Sequence, residues 1–345
     1  MNRRPKVLIT YKVHQQTLDF LETHYEVIAN PSREPWPATV LNEYLTDVDA
    51  MMAFMPDSVD ENFFQQAPNL KVIGCALKGP DNFDIEACTR HGVWITIVPD
   101  MLTVPTAELT IGLMLALDRH ILAGDTRVCG NYFHGWRPIF YGKGLAGTTV
   151  GLYGMGAIGQ ALTKRLQAFG CKLIYHDQLP LPSADAARLG LQHVELGDLQ
   201  QQSDYLVLCL PLTARTLHCV DHAFLNRMKS GALLINPCRG SVVDETAVAH
   251  ALDKHLGGYA ADVFEMEDWA RPDRPHNIPA DLLKQHDRTL FTPHLGSAVA
   301  TARLAIEMQA ARNIHAVLSG EIPDNPLNWV ASTTAMTTKA AGSHA

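Results

Sequence analysis

The chain is 345 residues long, 47% hydrophobic and 19% charged, which fits two ordinary globular domains, each with a full core. Its formal net charge of −8, with no basic tract to offset it, argues against nucleic acid as a partner. Seven scattered cysteines form no CxxC pair and show no metal-ligand spacing; the apolar runs at 7–10 and 109–117 are too short for a signal peptide or a bilayer span. These features read as a cytoplasmic protein with no metal and no membrane partner.

In chain order, strands are predicted at 7–10, 25–28, 50–54, 71–76 and 94–98, with helices at 17–23, 39–45, 61–66 and 85–91 between them. That alternation makes a small α/β domain without a glycine fingerprint. Pro105 then opens a helix to about 120 that is apolar on nearly every face, so burial on several sides is expected, between domains or between subunits. The stretch 130–147 is irregular and aromatic. A strand at 149–153, a helix at 161–169 stopped by Gly170, and strands at 172–176, 205–210, 232–236, 259–264 and 290–292 follow as a doubly wound parallel sheet. A helix at 301–318 is expected to return to the first domain, and 331–345, small and polar, is expected to be disordered.

The glycines of Gly154-Met155-Gly156-Ala157-Ile158-Gly159 sit between the strand at 149–153 and the following helix, and a second strand ends at Asp177. Strand, glycine turn, helix, strand and acid together form the dinucleotide-binding pattern. The glycines admit a pyrophosphate at the helix N-terminus, and the acid receives the adenosine ribose. Asp177 would repel a 2′-phosphate, and Gln178, Leu179 and Pro180 supply no cation for one, so NAD is favoured over NADP.

Arg239, Glu267 and His294 each follow the end of a late strand, where ligands bind in open parallel sheets. Arg239 offers a planar fork to an anion, His294 exchanges a proton near neutral pH, and Glu267 can hold the imidazole tautomer. Taken singly, each is as readily a surface ion pair or a loop histidine; their shared placement is what points to catalysis.

The segments 152–159 and 236–244, Asp262-Val263-Phe264 with Glu267, and Thr292-Pro293-His294 resemble the D-2-hydroxyacid dehydrogenases, and the resemblance spans 5–325. It implies two Rossmann-like α/β domains, with an NAD domain (101–294, linking helix 105–120) inserted into a split, flavodoxin-like substrate domain (1–100 with 295–330). It further implies a cleft between the domains and a homodimer. Arg239, Glu267 and His294 would be the catalytic set; Gly154, Gly156, Ala157, Ile158, Gly159, Thr106, Asp177, Pro211, Thr216, Pro237, Cys238 and Asp262 would surround the cofactor.

This chain departs from most of the family at Lys78, where a small apolar residue is usual, and at Pro237-Cys238 before the arginine. With 52–57 and 264–269, these features resemble the phosphite-oxidising branch of the family, and Lys78 would add a second cation for a compact dianion. Gly79, Met55 and Ser297 would also line or support the substrate, while Trp136, Tyr141 and Arg303 have weaker claims as core, dimer-contact or surface residues. The expected substrate is therefore phosphite. The alternatives are a D-2-hydroxyacid dehydrogenase acting on glyoxylate or a similar acid and, more distantly, an NAD-sensing, corepressor-like binding protein.

Overall fold

Short aliphatic runs separated by helices build two parallel sheets, as the alternating pattern leads one to expect. The computed structural model describes residues 3–330, so the expectation for 331–345 lies outside the described residues. The chain forms two compact units: one holds the residues up to Pro99 and those from Arg303 onward, the other is Asp100–Ala302.

In the first unit, β1 (Lys6–Ile9), β2 (Glu26–Ala29), β3 (Ala50–Ala53), β4 (Val72–Cys75) and β5 (Trp94–Thr96) lie in the order β2-β1-β3-β4-β5. All pairs are parallel. β3 and β4 are buried throughout, and Leu8, Met51, Ile73 and Ile95 centre the core. The helix Ala300–Leu318 brings the late chain back to this sheet. A Cβ on Gly74 would lie 2.7 Å from Ile314, so only glycine lets that helix seat on β4.

In the second unit, β6 (Thr149–Tyr153), β7 (Lys172–His176), β8 (Leu191–His193), β9 (Tyr205–Leu208), β10 (Leu233–Asn236), β11 (Gly258–Ala261) and β12 (Thr289–Phe291) run in the order β12-β11-β10-β9-β6-β7-β8. The strand order reverses between β6 and β9, beside the glycine turn, which is where such sheets bind dinucleotides. Residues on the two faces of this sheet fill separate cores.

Three details differ from the sequence reading. The nucleotide helix begins at Ala157, inside the glycine turn, and ends at Leu166; a 3-10 turn Gln167–Phe169 then leads to Gly170 at φ 68°. The linking helix runs Thr103–Asp118, starting before Pro105, because a first helical turn needs no amide donor. β8 and the helix Ile121–Cys129 have no counterpart in the sequence reading; that helix buries none of its residues. Among the described residues, no helix is long and apolar enough to cross a membrane.

Candidate active site

Each glycine of the turn after β6 has a separate physical role. Gly154 has φ 98°, and a Cβ there would meet the Cys209 carbonyl at 2.5 Å. A Cβ on Gly159 would come within 2.7 Å of the Gly154 carbonyl, so the helix packs tightly on its strand. Gly156 faces open space and is the N-cap of Ala157–Leu166, with no side chain bonded to the first amides. Uncapped amides beside an open glycine make a cradle that fits a pyrophosphate.

Asp177, at the end of β7, accepts the Met155 amide at 2.7 Å and the Leu179 amide at 2.9 Å, which ties the acid to the glycine turn. Thr216 donates to the Pro211 carbonyl at 2.6 Å and accepts the Thr213 amide at 2.8 Å, closing the loop after β9. The Thr106 hydroxyl faces the carbonyls of Leu102 and Gly296 at 2.8 and 3.2 Å, joining the start of the linking helix to the His294 loop.

Arg239, Glu267 and His294 follow β10, β11 and β12 at the carboxyl edge of the sheet. Buried Asn236 shapes the arginine turn: its carbonyl oxygen accepts the Cys238 amide at 3.1 Å and its amide donates to the Arg239 carbonyl at 2.9 Å. The Arg239 guanidinium, half-buried, also donates to the Cys238 carbonyl at 2.8 Å. Cys238 is buried, and burial pushes its thiol up to about 11, so it stays protonated and unreactive at neutral pH.

Glu267 Oε1 accepts the Phe264 amide at 2.8 Å, while Oε2 lies 2.7 Å from His294 Nδ1. A carboxylate partner requires Nδ1 to be the protonated nitrogen, which leaves Nε2 as the site of proton exchange. His294 itself is held at φ 56°, an uncommon conformation for a non-glycine residue. Buried Asp262 accounts for it. Its carboxylate accepts Thr292 Oγ1 and the Leu295 amide, both at 2.6 Å, and the Gly296 amide at 2.7 Å, while its carbonyl accepts the His294 amide at 2.8 Å. Burial raises the Asp262 pKa against the pull of these bonds. The sequence places Asp262 near the cofactor; the structure directs its carboxylate into the histidine loop.

Sequence reasoning missed a layer beneath these turns. A Cβ on Gly240 would lie 1.9 Å from the Phe264 carbonyl carbon, so the arginine turn and the glutamate turn meet backbone to backbone. Ser241 donates its amide to Asp268 Oδ2 at 2.9 Å across the same seam. Gly240 and Ser241 lie within the 236–244 segment, but spacing alone does not reveal what they touch.

In the first unit, Lys78 is half-buried in the turn that follows β4, with Gly79 beside it. Asn82, buried, donates to the Met55 carbonyl at 3.0 Å and so links this turn to the loop after β3. The Arg303 guanidinium lies 5.8 Å from the Phe54 ring centroid and donates to the Ala76 carbonyl at 3.4 Å. It is thus packed into the unit, not free on a helix surface, and burial lowers its pKa. In the second unit, Ser297 is half-buried three residues past His294, while Trp136 and Tyr141 are 77% and 74% exposed.

Residues 111–296 match the D-isomer specific 2-hydroxyacid dehydrogenase NAD binding domain. A glyoxylate reductase of Thermococcus litoralis is 37% identical over 331 residues, covering 94% of this chain and 97% of its own. A solved structure from Thermus thermophilus superposes with a TM-score of 0.84 at 34% identity, covering 94% and 100%. An NADPH-dependent glyoxylate/hydroxypyruvate reductase of Sinorhizobium meliloti, solved with NADP and malonate, gives 0.80 at 28%, covering 94% and 97%.

Proposed function

Because the chain belongs to the D-isomer-specific 2-hydroxyacid dehydrogenase family and carries its NAD-binding domain, we propose that it is an NAD-dependent phosphite dehydrogenase, oxidising phosphite to phosphate. The observation that carries this reading is Lys78, a cation in the turn just past β4. A carboxylate substrate is served by one guanidinium, whereas a compact dianion with three oxygens gains from a second cation.

In this reading the Arg239 guanidinium donates to the oxygens of phosphite. NAD+, held at the glycine turn after β6, would supply the hydride acceptor for phosphorus. His294 Nε2 takes the proton of the attacking water, because Glu267 holds the other ring nitrogen protonated at 2.7 Å. Water oxygen thus becomes the fourth oxygen of phosphate, and one proton is released.

A second reading, reduction of glyoxylate to a 2-hydroxyacid, is favoured by the names of the relatives. There His294, protonated, would donate to the substrate carbonyl, and Arg239 would hold the carboxylate. We further propose a homodimer: Ile121, Leu122 and Val128 are 54%, 57% and 58% exposed on one helix, close in sequence to exposed Tyr132, Phe133 and Trp136.

The test is NADH formation from phosphite, beside NADH consumption with glyoxylate, for the parent and Lys78→Ala. Turnover of phosphite whose KM rises roughly ten- to a hundredfold in Lys78→Ala establishes Lys78 as a phosphite-binding cation. Turnover of glyoxylate alone, indifferent to Lys78, establishes the second reading.

A further inference from the structure

The seam between the arginine turn and the glutamate turn contains a buried acid that neither reaction uses. Glu245 opens the helix Glu245–Lys254, directly after the segment that carries Arg239, and is 1% exposed. Its Oε1 accepts the Glu265 amide at 2.9 Å, and Glu265 Oε1 accepts the Glu245 amide at 3.3 Å. Two residues beyond Glu265 stands Glu267, which orients His294. The reciprocal pair therefore fastens the chain beside Arg239 to the 3-10 turn Glu265–Glu267.

The charges around Glu245 are nearly all of its own sign. Glu265, Glu267 and Asp268 face it from the 3-10 turn and the residue after it, and Tyr259 from β11. The nearby basic side chains serve its partner instead: His218 Nε2 lies 2.7 Å and Arg271 Nη1 3.4 Å from Glu265 Oε2. Glu245 Oε2 is buried with no hydrogen-bond partner. A neutral acid tolerates that far better than a carboxylate does.

We propose that Glu245 is a positioning residue of the active site: as a neutral carboxylic acid it clamps the Arg239 turn to the Glu267 turn, and its ionisation strains that clamp by charge repulsion. The proposal rests on the catalytic roles of Arg239, Glu267 and His294 and not on which substrate they serve. Burial, with the three facing carboxylates, pushes Glu245 up to about 8. A pKa raised in the folded state contributes stability that is complete below the unfolded value and is lost as pH rises through about 8. Above that pH, a fourth negative charge pushes against the turn that holds His294.

The experiment uses the full chain as parent, Glu245→Gln and Glu245→Ala. It follows kcat with whichever substrate turns over, and thermal unfolding with no substrate at all, from about pH 6 to about pH 10. Expected for Glu245→Gln, a neutral isostere, is an alkaline limb of kcat displaced upward by about one pH unit or more, together with a flatter fall of Tm between about pH 6 and about pH 8. Expected for Glu245→Ala is a loss of kcat of about tenfold with KM changed less than about twofold. A Glu245→Gln protein whose alkaline limb and Tm slope match the parent overturns the proposal, and that arm decides even if Glu245→Ala does not fold. Failure on phosphite with success on glyoxylate overturns the substrate reading and leaves this measurement intact.

Discussion

Asp177 is the residue whose placement is most directly legible in the sequence. Position after the second strand of a dinucleotide unit marks it, and its bonds to the Met155 and Leu179 amides explain how it is held there. Removing its charge while keeping its size should relieve repulsion of a 2′-phosphate. Asp177→Asn is expected to improve kcat/KM for NADP relative to NAD by about tenfold or more, read from initial rates with each cofactor. An unchanged ratio would mean that other groups exclude the phosphate. Arg239, Glu267 and His294 were legible for the same reason, since each follows a strand. Glu245 was not: an Asp-Glu pair opening a helix looks like an ordinary cap, and Asp244 does cap that helix, accepting the Ala247 amide at 3.0 Å. Nor does sequence spacing reveal that Asp262, expected at the cofactor, spends its carboxylate on the histidine loop.

At the scale of elements, parallel strands were readable because β3, β4, β9, β10 and β11 are buried along their whole length and, but for Asn236 at the end of β10, carry no strongly polar residue. The helix Ile121–Cys129 was not readable, because it is short, contains Gly124 and buries nothing. Contacts between turns are likewise invisible to periodicity. Gly240 shows the cost of disturbing one. A methyl group there would fall 1.9 Å from the Phe264 carbonyl carbon and 2.2 Å from the Glu265 amide nitrogen. Gly240→Ala is therefore expected to lower unfolding free energy by about 2 kcal/mol or more in a urea titration. It should also reduce kcat more than it raises the substrate KM, because the displaced turn carries Glu267. Parent-like stability would show that the two turns are not in contact in solution.

For the whole molecule, the proposed homodimer would cover apolar surface that the second unit leaves exposed. That surface includes Leu122, Val128, Tyr132, Phe133, Trp136 and Tyr141. Light scattering coupled to size exclusion is expected to give twice the mass of one chain at micromolar concentration. Replacing Leu122 and Val128 together by Asp should shift that mass toward a single chain. A monomeric parent would refute the homodimer and leave the site chemistry unaffected.

The path of the chain through its two units also sets an order of assembly. The sheet of the first unit is complete in sequence by β5, yet the helix that seats on Gly74 arrives only after about two hundred intervening residues. During translation at roughly 5–20 residues per second, those residues take about 10–40 s to appear. Throughout that interval the face of β4 that Ile314 will cover stands bare at the ribosome exit. The uninterrupted second unit can meanwhile fold as a block. The part of the protein that carries Lys78 is thus begun first and finished last, and chaperone dependence in the cell should map to its first hundred residues.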